Sequence, residues 1–487
     1  MVNNTRGIGS YFLLFLIIAV CFTLLTNNPR SNDAGEHIGL AKELAGFGNL
    51  KLYWIHSAIF PLLASFLLKV YPSVKTYQLL GTFILFLTGY VLWLWKKSYK
   101  TSILWTSSPV IWGVIGSIHT VVLGGFFFLL SFIFWELSGK ESFTDRKKFL
   151  SICLSGLALG LACAASGAVW PFAIFFILFL FLDKKSYLLF GFLVSSFLGF
   201  GLRFLVDHFI FGYAHFSTFR FLATNALIVL GLHPTIESYH FGIYSVLNLF
   251  IVSPLLFILL HRLYRDRKYN LLVFLLFSLV FLIGIYSTRL VYHFYPLALV
   301  AIPLMAKYFR KKEVLLSVLL SVPLIIGVII PAFGTSRPFV EYHIDYNQLA
   351  VNQRIKEDIQ KIVNDFPNES MFVSNTGGSI EIWSSTPKFI LLKDEYLPVK
   401  TGNNVLREFT LRETPKFNNI KVAEVTIRYL ANLDDYYPND LYYIGKKGQE
   451  VPLANYTAVK CYSELCVYGP SVIKNFTYSG NGRIIKV

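Results

Sequence analysis

Apolar runs of about 17–20 residues recur between Tyr11 and Ile330, and this repetition leaves few folds open. At 1.5 Å per residue, such a run covers the ~30 Å hydrocarbon core of a bilayer as one α-helix. Within lipid every backbone N–H and C=O needs an internal partner, which a helix supplies by itself. The chain therefore reads as a mainly α membrane protein of many passes. After about Phe333 the runs stop, and the remaining ~150 residues are polar and rich in Asn and Tyr. There, "YNQLAVNQRIKEDIQKIVNDF" and "MFVSNTGGSIEIWSSTPKFILL" read as a helix, a strand, a turn and a further helix or strand. The reading is a transmembrane domain over 1–332 and a soluble α/β domain over 333–487.

The formal charge of +16 would suit a nucleic-acid binder if the cations formed one surface. They do not. They sit in short clusters between apolar runs: "KKSYK" (96–100), "DRKK" (145–148), "DKK" (183–185), "HRLYRDRK" (261–268) and "RKK" (310–312). Lys and Arg in short loops mark the cytoplasmic side, so the excess is a topology signal and nucleic acid is excluded as a partner.

Placing every basic cluster inside gives about eleven transmembrane helices, near 11–27, 77–95, 101–118, 120–136, 149–165, 168–182, 186–206, 241–260, 270–287, 291–308 and 314–332. The first run has no small-residue cleavage site behind it and is kept as a span. "WIHSAIFPLLASFLLKVYP" (54–72) is apolar enough to span, but counting it would invert every later loop. It is read as a re-entrant or juxtamembrane helix at the outer interface. The N-terminus is then cytoplasmic, two long outer loops cover 28–76 and 207–240, and the tail is extracytoplasmic, in a cell membrane. On that side Cys461 and Cys466 in "KCYSELC" are free to form a disulfide; two cysteines alone do not make a zinc site.

The first outer loop, "PRSNDAGEHIGLAKEL", concentrates titratable groups at the mouth of the first span. A carboxylate at the bilayer edge is costly to desolvate and needs a partner or a task. Asp33 precedes Ile38, Ala41, Leu44 and Ala45 at helical spacing, so it suits a helix cap. A helix start also attracts anions. Cap and catalyst are compatible roles.

"DAGEHIGLAKELAGFG" followed by "HSAIFPLLASFLLKVYP" resembles the first outer loop of GT-C superfamily glycosyltransferases, among them protein O-mannosyltransferases and lipid A aminoarabinose transferases. In the aminoarabinose branch the loop reads Asp-Glu-x-Arg-Tyr-Ala-x-x-Ala before a Pro-containing helix. Asp33 stands at the Asp, His37 at the Tyr, Ala41 at the last Ala and Pro61 in the helix. Ala34 replaces the second acid and Glu36 the Arg. "STRLVYHFYPLALVAIPLMAKYF" (287–309) is similar to a late span of these enzymes, where an outer basic residue is followed by an aromatic and two prolines. Arg289, His293, Tyr295, Pro296 and Pro303 match it. The span count, the two outer loops and the outer tail agree with the superfamily's layout. Where many members carry another acid in the second outer turn, "GSIHTVVLGG" offers His119, whose alternatives are to bind phosphate or acceptor or, the reading preferred here, to hydrogen-bond at the interface.

The resemblance implies transfer of a hexose or pentose from a polyprenyl-phosphate donor to an acceptor hydroxyl on a lipid, glycan or protein, with inversion. Asp33 would be the general base. Arg289 would stabilise the departing phosphate, a contact that suits a guanidinium; its alternative is an arginine snorkelling to the interface. Glu36, His37, His56, Arg220, His293 and Tyr295 are the further donor-binding candidates. His215 and Arg220 lie in the mid-chain loop. No metal and no cofactor are expected. The alternatives are a transporter or flippase of polyprenyl-linked glycan, for which Arg203 is the main in-span charge, and a non-catalytic membrane scaffold.

Overall fold

The computed structural model describes residues 4–26, 34–46, 56–182, 186–211, 214–215, 217–218, 221–222, 225, 249–282, 291–329, 353–366, 371–374, 441–448, 456–470, 476–478 and 484–486. The chain divides into two compact units. One comprises Met1–Ser31, Gln78–Leu205 and Tyr239–Ala350; the other comprises Asn32–Tyr77, Val206–Ser238 and Val351–Val487.

The first unit is helical. It contains α1 (Asn4–Leu25), most of α4 (Val74–Lys96), α5 (Tyr99–Thr106), α6 (Pro109–Val114), α7 (Val121–Ser138), α8 (Asp145–Ala165), α9 (Trp170–Leu182) and most of α10 (Ser186–Phe211). After these come α11 (Leu249–Val252), α12 (Leu256–Arg265), α13 (Tyr269–Val280), α14 (Tyr295–Tyr308) and α15 (Lys311–Ile329). Among the described residues four helices are long and apolar enough to cross a membrane: Val74–Lys96, Val121–Ser138, Asp145–Ala165 and Leu188–Ile210.

Among the described residues, not every run read as a span is one continuous helix. The run read as one span over 101–118 is broken into α5 and α6. Pro109 opens α6, and Ser108 before it is extended (φ −76°, ψ 124°), because a proline lacks the N–H and disfavours helical backbone in the residue it follows. Within 241–260, α11 and α12 are likewise separated by a segment holding Pro254. Hydropathy registers the apolar run and overlooks the break.

Lipid offers no hydrophobic drive for helices to associate, so close packing must supply it. The α8–α10 contact does this with small residues. A Cβ added at Gly156 would lie 2.2 Å from the Phe192 carbonyl oxygen, and one at Gly160 would lie 2.0 Å from that of Ser196. Elsewhere aromatic rings fill the space: Phe176 meets Phe128, Phe132, Trp135, Phe179, Phe192 and Phe274 with centroids 5.9–6.5 Å apart, mostly edge-on or tilted as aromatic quadrupoles prefer.

Three basic clusters meet at one end of this unit. Lys96 pairs with Glu136 at 2.7 Å, joining the last turns of α4 and α7. The Lys100 ammonium donates to the Phe309 carbonyl at 2.7 Å. Arg262 donates to the Tyr308 carbonyl and pairs with Glu313. The cations thereby cover the carbonyl end of α14, where helix dipoles favour positive charge. Gln78 and Lys96 lie at opposite ends of α4, about 27 Å apart at 1.5 Å per residue.

In the second unit, α2 (Ala34–Ala45) and α3 (Ile59–Leu68) form the first loop. With ten residues, α3 is about 15 Å long and too short to cross a ~30 Å core. Its Pro61 falls in the first turn, where a missing N–H costs nothing.

The tail of this unit has α16 (Gln353–Asp365) and strands β1 (Met371–Ser374), β2 (Leu441–Lys446), β3 (Tyr456–Cys461) and β4 (Leu465–Pro470) in the order β1-β2-β4-β3. β1 and β2 are parallel, and the other pairs of this sheet are antiparallel. A separate hairpin joins β5 (Phe476–Tyr478) to β6 (Ile484–Lys486). Cys461 and Cys466 are disulfide-bonded across the last pair of the β3–β4 hairpin. α16 buries Ile359 and Ile362. Its Asp358 carboxylate accepts from the backbone N–H of Ser463, Glu464 and Leu465 at 3.2, 2.6 and 3.1 Å. At the helix end, Lys460 and Tyr462 donate to Asp365 and hold its carboxyl below the ordinary carboxylate range.

Asp358→Ala leaves that turn's donors without their acceptor. A hydrogen bond to a charged group contributes roughly 1.5–3 kcal/mol, and the three here do not add, because donors at the half-exposed turn can bond to water once the carboxylate is gone. The expected result is a tail destabilised by about 2–3 kcal/mol in the full-length protein, read as faster limited proteolysis of the tail with the helical unit intact. An unchanged cleavage rate would refute it.

Candidate functional site

Helix α2 begins at Ala34, directly after Asp33. Asp33, Arg220 and Arg289 lie outside the described residues, as does the side chain of Glu36 in the first turn of α2. The helix forms because Ile38, Leu40 and Ala41 supply an apolar stripe, all fully buried. The same burial takes in His37, which is 0% exposed. The two imidazoles named from the sequence come together: the His37 and His56 rings lie 5.0 Å apart, tilted by 48°. Phe60 on α3 packs edge-on against Tyr77 at 5.0 Å. Lys42, in the last turn of α2, is 6% exposed. A buried ammonium in this loop was not singled out from the sequence.

In the mid-chain stretch of the same unit, Asp207 is fully buried and accepts from the Ser217 backbone N–H at 2.8 Å and its hydroxyl at 2.6 Å. That pair closes the start of the loop. His215 is exposed.

The helical unit contributes a second cluster at the end of α4 remote from Lys96. The turn between α6 and α7 passes through Gly116 with φ +71°, a left-handed conformation that glycine adopts without cost. The Gly116 carbonyl accepts from Gln78 Nε2 at 2.7 Å, and its N–H donates to Thr82 Oγ1 at 3.2 Å. Thr82 Oγ1 in turn lies 2.9 Å from Thr23 Oγ1 on α1. Three residues beyond Gly116, the His119 ring stacks on Tyr292 with centroids 3.9 Å apart and 28° between planes. Tyr292 meets His293 at 4.5 Å, near-perpendicular. Thus His293 joins a cluster that includes His119.

Tyr295, three residues further on, faces the bundle interior. It is fully buried, its ring 6.2 Å from Trp105, and α7 makes room for it with Gly125, where a Cβ would lie 2.2 Å from the ring. Arg203 is also fully buried, its guanidinium carbon 5.3 Å from the Trp170 ring centre, in cation–π range.

The helical bundle and the small disulfide-bonded α/β tail have a counterpart among solved membrane-protein folds. In particular, the chain is similar to ArnT, the lipid A aminoarabinose transferase, from Cupriavidus metallidurans bound to undecaprenyl phosphate, with a TM-score of 0.60 over 94% of this chain and 98% of that one at 9% identity. The apo state of that protein gives 0.57 over 95% and 98%, at 10% identity. An oligosaccharyltransferase from Archaeoglobus fulgidus gives 0.48 over 90% and 69%, at 11% identity. No protein-family model matches the chain, and no curated protein matches it in sequence.

Proposed function

We propose that the protein is an integral-membrane glycosyltransferase that moves a sugar from a polyprenyl-phosphate donor to an acceptor hydroxyl at the outer face of a cell membrane. One observation carries this reading: the likeness to ArnT bound to undecaprenyl phosphate runs through nearly the full length of both chains. In this reading Asp33 takes the hydroxyl proton, and the oxygen attacks the anomeric carbon as the bond to the lipid phosphate breaks. Arg289 meets the phosphate, where negative charge grows. One in-line displacement inverts the anomeric centre. The residues so named need no metal or cofactor. His37, His56, His293 and Tyr295 are the described members of the donor-binding set, with Glu36 and Arg220 the remaining candidates.

Two observations support the outer placement. The stretches read as outer loops and tail belong to one compact unit. The tail also holds a disulfide, a bond that persists in oxidising compartments. In a background with Cys21, Cys153 and Cys163 replaced, a membrane-impermeant thiol reagent added to intact cells is expected to label Gly377→Cys and Asn404→Cys and to spare Lys184→Cys. Labelling at position 184 would put Asp33 on the wrong side and sink the reading. Sugar release from purified undecaprenyl-phosphate donor in nanodiscs tests the reaction itself.

A further inference from the structure

Among the described residues only two that are not glycine have left-handed backbone: Lys97 (φ 46°) and Arg267 (φ 55°). Each stands just past the end of a helix. The Lys97 N–H donates to the Trp93 carbonyl at 2.6 Å and closes α4. At the end of α12 the Arg267 N–H donates to the Tyr264 carbonyl at 3.1 Å, and the Lys268 N–H to that of Leu263 at 2.8 Å. Helices that end in these two ways ordinarily place glycine or asparagine there, because a Cβ makes the left-handed conformation costly. Both turns carry a long cation instead.

The fold itself gives neither cation a task. Helix dipoles favour positive charge in a last turn, but Lys96 supplies it on α4, and Arg262 and Arg265 supply it on α12. The carboxylates beside them are engaged: Glu136 with Lys96, Glu313 with Arg262 and Asp266 with Arg265. Among the described residues neither Lys97 nor Arg267 forms an ion pair, and both are exposed.

The two turns share one end of the helical unit, where Lys100 and Arg262 converge on the last carbonyls of α14. Exposed tyrosines stand beside them. Tyr99 follows Lys97, and Tyr264 and Tyr269 flank Arg267 with ring centroids 6.1 Å apart. The Trp95 ring lies 3.5 Å under the Lys96 ammonium. Tyr and Trp collect at the headgroup level of a bilayer, so these rings set the depth of the two cations. At that depth the available anion is lipid phosphate, which attracts juxtamembrane Lys and Arg and matches the guanidinium fork.

We propose that Lys97 and Arg267 bind the phosphates of anionic phospholipids, making this end of the helical unit a docking surface for a negatively charged leaflet. The strained backbone persists at both turns because glycine would leave no side chain to reach a headgroup. The assignment concerns bulk phospholipid and is independent of the sugar-transfer reading.

Glycine at both turns is the informative change, since it removes the two cations and relieves the backbone that carries them. Full-length Lys97→Gly/Arg267→Gly is compared with the wild type in nanodiscs of phosphatidylcholine alone and of phosphatidylcholine mixed with phosphatidylglycerol. In phosphatidylcholine the variant is expected to melt at or above the wild-type temperature. In the mixture its preference for phosphatidylglycerol, counted by native mass spectrometry of retained lipid, should fall about fivefold for each cation removed. Arg146→Gln/Lys147→Gln takes the same charge from the start of α8 and should keep the wild-type preference. An unchanged preference in the glycine variant overturns the proposal. An equal loss in the α8 variant does so too, because the attraction would then be diffuse surface charge. A glycine variant that melts lower in phosphatidylcholine would show that the cations serve the fold instead. A wild type that ignores phosphatidylglycerol but binds polyglutamate would reassign the surface to an acidic protein segment.

Discussion

On the proposed mechanism, Asp33→Asn is expected to slow sugar transfer by about 10²–10⁴-fold, the loss that follows removal of a positioned general base, and to leave the protein's melting temperature and its affinity for undecaprenyl phosphate near wild type. Asparagine matches aspartate in shape and is as good a helix cap, so the substitution isolates proton abstraction from any structural part Asp33 plays ahead of α2. A capping role alone predicts a change of a few tenths of a kcal/mol and retained turnover. The measurement is single-turnover release of sugar from purified undecaprenyl-phosphate donor in nanodiscs, with lipid affinity measured in parallel. Turnover within a few-fold of wild type would take Asp33 out of the mechanism and favour the transporter or scaffold alternatives.

The largest structural effect is expected from a single methyl group. In a helix interior, Gly→Ala normally stabilises by up to about 1 kcal/mol, and Gly201→Ala on α10, with nothing within 4 Å of the new Cβ, should follow that rule. Gly160→Ala should reverse it. The added Cβ would lie 2.0 Å from the Ser196 carbonyl oxygen, 2.7 Å from the Phe200 nitrogen and 2.9 Å from the Gly199 Cα. All three are backbone atoms of α10 and cannot rotate aside, so α8 and α10 must separate. Overpacking of a close contact costs about 1–3 kcal/mol, enough to outweigh the propensity gain. Thermal unfolding of the two variants in the same detergent decides the point: Gly160→Ala melting at or above Gly201→Ala would mean the two helices do not pack as described.

The helical class and the polar tail were legible in the sequence because lipid imposes one secondary structure and one length on whatever crosses it. The disulfide was open to the sequence for a local reason: Cys461 and Cys466 are spaced to face each other across a tight hairpin. The breaks before Pro109 and around Pro254 had a signal, the prolines themselves, but the apolar runs were continuous enough to hide it. What stayed illegible depends on pairing across distance. Nothing in the string links Gln78 and Thr82 to Gly116, or Asp358 to a turn more than 100 residues later. Of the candidate site, the sequence named His37 with His56, and the fold brings them together. It treated His119 and His293 as unrelated and had no basis for bringing them into one cluster. It also grouped His293 and Tyr295 in one motif, whereas the 3₁₀ turn over Val291–Phe294 leading into α14 leaves Tyr295 in the bundle interior and His293 beside Tyr292.

The cations gathered around the end of α14 have a consequence for how the chain acquires its orientation. Loop charge is usually treated as a signal read during insertion, after which it has no further duty. Here Lys100 and Arg262 are bound to the last carbonyls of α14, and Arg262 also to Glu313. A helix inserted the wrong way round would carry its carbonyl end to the opposite leaflet and leave these side chains without acceptors. A bundle built from such a chain could not close. The direction of α14 is thus tied to Lys100 and Arg262 by the fold itself, beyond what loop charge alone dictates.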